Sequence, residues 1–147
     1  MLYSSILELA HSIYVLLSNN HGNQAFALVR TMLEALIDLK NLVNDENYHR
    51  NILLEHNEYW AAILSEAKKG NQYLTSISQE SGVSERLRSH KNEMEILRGK
   101  GAQYLSVKKK FKKAKEVDLY NTGYKMACGY THTSLRSMLA RHVDQTV

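Results

Sequence analysis

Apolar residues recur at three-to-four spacing along most of the chain, the pattern of amphipathic helices. Leu2, Ile6, Leu9, Ile13 and Leu16 mark one face of a helix over 2–18. Asn19-Asn20-His21-Gly22-Asn23 is a turn cluster. A second helix is predicted over 24–43. At about 100° per residue its apolar positions cover well over half the circumference. Its polar strip is narrow: Arg30, Glu34, Asp38 and Asn41. A helix this apolar packs on several sides, so the pattern makes it central.

A cap at Asn44 or Asp45 starts a third helix that reaches about 69, with Ile52, Tyr59, Trp60, Ile63, Leu64 and Ala67 on its buried face. Gly70-Asn71 stops it. Residues 71–83 read as a short helix or a loop. Ser84 caps a fourth helix to about 98, ended by Gly99 and Gly101. Ser106 caps the next, where Val107, Phe111, Ala114 and Val117 repeat among lysines. Asn121-Thr122-Gly123 bends or breaks the chain before a final helix over 124–142. With short loops between them, these elements predict an all-α fold, an antiparallel bundle of about five to six helices in one domain spanning 1–147.

Composition sharpens this picture. The chain has 147 residues and no proline, and 44% of its residues are hydrophobic. A domain of this size buries enough surface to need neither disulfide nor metal. Cys128 is the only cysteine, which points to a reducing, cytoplasmic setting. Residues 1–18 lack a basic leading region, and Glu8 and His11 interrupt them, so an amphipathic helix is expected rather than a signal peptide or membrane span. Residues 1–99 hold 9 Lys+Arg against 12 Asp+Glu, and residues 100–147 hold 10 against 3. Basic character is thus concentrated in the last third, where an anionic partner would dock.

Three constellations could carry chemistry. Arg30 and Glu34 stand four apart on the central helix and share a face, either as a solvated ion pair or as part of a cleft. Tyr124, Cys128, His132 and Arg136 fall at successive four-residue steps on the last helix. His132 could act as a general acid or base, and Arg136 could hold a phosphate. The bland alternative is a histidine that serves a core hydrogen-bond network. Lys108, Lys109, Lys110, Lys112, Lys113 and Lys115 make a strongly basic helix, suited to nucleic-acid phosphates or simply solvated. The seven histidines form no i, i+4 pair, so neither a metal nor a cofactor is expected.

The segments 27–34, containing Arg30-x3-Glu34, and Tyr120-x3-Tyr124-x5-Tyr130-Thr131-His132-Thr133-Ser134 resemble those of a bacterial family of all-helical domains of unknown function. That family pairs an Arg-x3-Glu helix with a late Tyr…His-x-Ser motif. Its members often carry serines just before the late histidine, where Ala127-Cys128-Gly129 stands here. More distantly, Arg136-Ser-Met-Leu-Ala-Arg-His142 is similar to the Arg-x4–6-His motif of HEPN domains, many of which are metal-independent ribonucleases. His132 and Arg136 are the better-aligned pair, because six residues is about 600° of helix. The resemblance implies an RNA-directed domain of a defence or toxin-type system, in which His132, Arg136, Arg30 and Glu34 are the catalytic candidates and the lysine helix guides RNA. The alternative is a non-catalytic protein-interaction module. A homodimer is expected from the wide apolar arc of the second helix and from the HEPN likeness.

Overall fold

The computed structural model describes residues 2–131, and every regular element among them is helical. The elements gather into two units. One comprises residues 1–44 and 106–147, and the other residues 45–105.

The first unit opens with helix α1 (Leu2–Ser18) and helix α2 (Gly22–Asn44), which pack against each other. The turn between them uses Asn20 in the left-handed region, φ 61°. Asparagine tolerates that region because its short side chain bonds locally. The chain then returns through α6 (Val107–Lys113), α7 (Val117–Leu119), a single π turn (Tyr120–Tyr124) and α8 (Lys125–Thr131). Helices α6 and α8 also pack on α2, so α2 is the central element its apolar arc predicts. Its wide arc is taken up by α1 on one side and by α6 and α8 on others.

The core of this unit joins Ile37 of α2 to Phe111, Ala114 and Tyr124, with Leu33, Val107, Leu119, Tyr120 and Cys128 around them. Val117 does not join Phe111 and Ala114 on one face as the spacing suggested; it is 40% exposed. The reason is local. Helix α6 ends at Lys113, and Lys115 turns the chain with φ 61°, so Val117 opens the next helix in a new direction. Nor does Asn121-Thr122-Gly123 break the helix. The backbone stays right-handed from 117 to 131 and widens by one π turn, a device often found at functional sites. The final helix expected over 124–142 is described only as far as Thr131.

In the second unit, α3 (His49–Lys68) packs on α5 (Val83–Gly99), with a short 3₁₀ turn (Gln72–Leu74) and α4 (Thr75–Ser78) between them. Ala61, Leu64, Val83 and Leu87 form one cluster, and Leu54, Leu97 and Ala102 form another. The buried stripe of α3 runs through Leu54, Asn57, Ala61, Leu64 and Ala67, which leaves Tyr59 61% exposed instead of buried. A polar and a small residue stand in this stripe, which is why apolar spacing misplaced it. Asn57 is tolerated there because its amide donates to the Leu53 carbonyl at 2.7 Å and its oxygen accepts from His90 Nδ1 at 2.7 Å.

Two predicted caps are corrected. Asp45 accepts from the Asn47 backbone N–H at 2.9 Å and so organises a turn ahead of α3, rather than capping the helix itself. Gly82, in the left-handed region at φ 82°, precedes α5 in place of a Ser84 cap. No helix among the described residues is long and apolar enough to cross a membrane.

Candidate functional site

Arg30 and Glu34 lie one turn apart on the polar strip of α2, and Arg30 Nε bonds Glu34 Oε1 at 3.1 Å. The third member comes from ninety residues further along. Tyr124, at the end of the π turn, donates its hydroxyl to the same Glu34 Oε1 at 2.7 Å and accepts from Arg30 Nε at 3.3 Å. The guanidinium carbon also stands 5.8 Å from the Tyr124 ring centre, within cation–π range. Both of Arg30's hydrogen bonds within the described residues run through Nε. Its Nη edge, on a side chain 35% exposed, is therefore turned to no other described partner.

Aromatic packing holds Tyr124 in place. Its ring lies 5.1 Å from Phe111 and is stacked on Tyr120 at 5.4 Å, with planes 17° apart. Phe111 belongs to the lysine helix, so α6 and the polar cluster share one core. Tyr124 is 5% exposed. Burial first, and then the hydrogen bond to the Glu34 carboxylate, hold its hydroxyl protonated far above the usual tyrosine range. The same contacts, to Tyr124 and then Glu34, favour the charged form of Arg30. Cys128, one turn beyond Tyr124, packs against the same core.

Lower on the strip, Asp38 Oδ2 accepts from Lys110 Nζ at 3.1 Å, with both side chains largely buried. Asn41 Nδ2 donates to the Lys110 carbonyl at 3.0 Å, and its buried Oδ1 has no partner. Lys40 pairs with Glu116. One face of α2 thus carries a row of polar contacts to the returning chain.

A model of a family of unknown function, DUF5677, matches residues 1–146. The chain belongs to DUF5677. No curated protein and no solved structure gave a significant match.

In this DUF5677 chain, Arg30 and Glu34 meet the stripe of the last helix through Tyr124, and His132 and Arg136 lie outside the described residues. Five of the six lysines, Lys108, Lys109, Lys112, Lys113 and Lys115, are exposed, whereas Lys110 is buried against Asp38. Tyr124 is the residue that site reasoning from sequence passed over. Its place in the i, i+4 stripe with Cys128 was visible, but its pairing with α2 was not. In the second unit the His56 ring lies 6.5 Å from Trp60 and 6.3 Å from His90. Among the described residues no group of three or more His, Cys, Asp or Glu could hold a metal ion.

Proposed function

We propose that this DUF5677 domain is RNA-directed and works in the cytoplasm as part of a bacterial defence or toxin-type system. The observation that carries the reading is the exposed lysine face of α6, whose buried Phe111 rests on Tyr124 of the polar cluster. In this reading the lysines draw in a phosphate backbone, and Arg30 of the same unit, its Nε held by Glu34 and Tyr124, offers its Nη edge to a phosphate. Anchoring one edge orients the other, as recognition of a phosphate by arginine requires.

In the catalytic form of this reading the reaction is metal-independent transesterification. His132 accepts the 2′-hydroxyl proton, O2′ bonds to phosphorus, and the bond to O5′ breaks with a proton delivered to the departing oxygen. The products are a 2′,3′-cyclic phosphate and a 5′-hydroxyl. Arg136 and Arg30 neutralise the phosphate oxygens, and Glu34 orients Arg30. The similarity to HEPN nucleases supports this form as an analogy of family, not of geometry.

One observation favours a second reading, a non-catalytic interaction module. Tyr124 is buried and its hydroxyl is committed to Glu34, which is how a structural network looks. Filter binding of single-stranded RNA from about 50 to 200 mM salt separates the two. RNA binding that weakens steeply with salt, and that is lost on changing Lys108, Lys109, Lys112 and Lys113 to Glu, supports the RNA reading. Lys110 is left alone in that variant because its ion pair is buried. Undetectable binding, or binding indifferent to the charge reversal, sinks it.

A further inference from the structure

Asn57 stands in the buried stripe of α3, 7% exposed, and its hydrogen bonds fix the state of a histidine on α5. Its Nδ2 donates to the Leu53 carbonyl at 2.7 Å, so its Oδ1 is the atom that meets His90 Nδ1, also at 2.7 Å. An amide oxygen can only accept, so His90 Nδ1 carries a proton. In the neutral ring Nε2 then holds the lone pair, and among the described residues it has no hydrogen-bond partner. His56 is exposed on α3, one residue before Asn57. Its ring makes no hydrogen bond among the described residues. The centres of the two imidazoles lie 6.3 Å apart, with planes at 65°.

We propose that His56 and His90 form a two-imidazole site for a borderline divalent transition-metal ion, Zn(II), Ni(II) or Cu(II), which ties α3 to α5. Histidines that bind metals donate their other ring N–H to an oxygen that fixes the tautomer and aims the ring. Asn57 does this for His90, and its own amide is held by the Leu53 carbonyl. The spacing fits as well. A metal ion 2.0–2.1 Å from a ring nitrogen stands about 3.2 Å from that ring's centre, so two rings can share one ion at centre separations up to about 6.4 Å. A tetrahedral angle between the rings needs about 5.2 Å, and rotation of the exposed His56 side chain covers the difference.

Imidazole nitrogen selects the ion. It suits zinc, nickel and copper, whereas magnesium and calcium take oxygen ligands. Among the described residues no third His, Cys, Asp or Glu completes the set, so water fills the remaining positions and the ion exchanges with solvent. An ion held only when α3 and α5 are packed together stabilises that packing in proportion to its occupancy. The lack of an i, i+4 histidine pair does not bear on this site, because its two ligands come from different helices. The site uses neither Arg30 nor the lysine helix, so it stands whether or not the domain binds RNA.

The chain's one tryptophan reports on the site, because the Trp60 ring stands edge-on to His56 with 6.5 Å between centres. Titrating NiCl2 into the whole, untagged chain should quench Trp60 fluorescence saturably at micromolar metal, since an open-shell ion quenches an indole at this range. MgCl2 should leave it unchanged. ZnCl2 should raise the midpoint of thermal unfolding. His56→Gln alters an exposed side chain, so helical circular dichroism should be unchanged while nickel affinity falls at least tenfold and the zinc shift disappears. His90→Gln should weaken nickel binding likewise. His11→Gln, at an exposed position of α1, should affect neither readout. Fluorescence that does not saturate with nickel up to millimolar concentration overturns the proposal, as does a wild-type chain that zinc does not stabilise. Quenching that survives His56→Gln belongs to the other histidines and overturns it as well.

Discussion

Tyr124 joins residues ninety positions apart through one oxygen, donating to Glu34 and accepting from Arg30. Replacing it with Phe removes both bonds while keeping the ring that packs on Phe111 and Tyr120. Arg30 and Glu34 are each 35% exposed, so water can partly replace the lost partner. The expected loss is about 1 kcal/mol in denaturant unfolding. The alkaline side is more diagnostic. Tyr124 holds its proton more tightly folded than unfolded, where the ordinary value is 10.0. Its contribution is therefore complete below about pH 10 and is lost as pH climbs towards the folded value, because the unfolded chain ionises first. Phenolate absorbance in the native state should show a tyrosine that does not titrate in the usual range. Tyr124→Phe should remove only that silent tyrosine and flatten the decline of stability above pH 10. The number of tyrosines that titrate in the usual range should be the same in the variant, and the loss of one from that range would refute the buried hydrogen-bonded assignment.

At the scale of elements, α6 is joined to α2 by an apolar contact and a buried ion pair. Phe111 and Ala114 meet Ile37, while Lys110 reaches Asp38. Side-chain exposures of 11% and 16% leave little water to screen the pair. Asp38→Ala takes a carboxylate partner from the buried Lys110 ammonium and should cost about 2–3 kcal/mol, whereas Asp38→Ala with Lys110→Met should cost measurably less, because the buried charge goes too. Strict additivity of the two substitutions in urea unfolding would show that the ion pair does not couple the helices. Asn41 offers a companion measurement. The Lys110 carbonyl it contacts also accepts from the Ala114 backbone N–H at 3.0 Å. Asn41→Leu therefore removes a buried, partnerless Oδ1 without orphaning that carbonyl and should be neutral or stabilising.

For the whole molecule, charge divides by unit. Residues 45–105 carry eight basic against nine acidic residues, a net of −1, and the remainder carries eleven against six, a net of +5. The basic field therefore belongs to the unit that also holds Arg30, Glu34, Tyr124 and the lysine helix. If phosphates are what it meets, each lysine contact should contribute about 0.7 to the slope of log affinity against log salt for a single strand. A single Lys112→Ala substitution should lower that slope by roughly this amount and weaken binding equally across RNA sequences. A sequence-dependent loss would instead mark Lys112 as a reader of bases.

Much of this architecture is written in local pattern. Helix α1 spans the residues its leucine and isoleucine spacing predicts, and α2 is central because its apolar arc is too wide for one neighbour. These outcomes need only the 3.6-residue period and the turn chemistry of Asn20, both properties of a few adjacent residues. Membership of one polar row was equally local, since Arg30, Glu34 and Asp38 are one turn apart. The sequence by itself thus determined an all-helical chain, the order of its main helices and the strip on which its polar residues stand. The tertiary structure alone decided which partners those residues take: Tyr124 for Arg30 and Glu34, and Lys110 for Asp38. Such pairings span 72 to 94 positions and depend on which faces meet when helices pack. Six neighbouring lysines look alike in sequence, yet packing Phe111 into the core turns Lys110 inward and leaves the other five exposed to solvent.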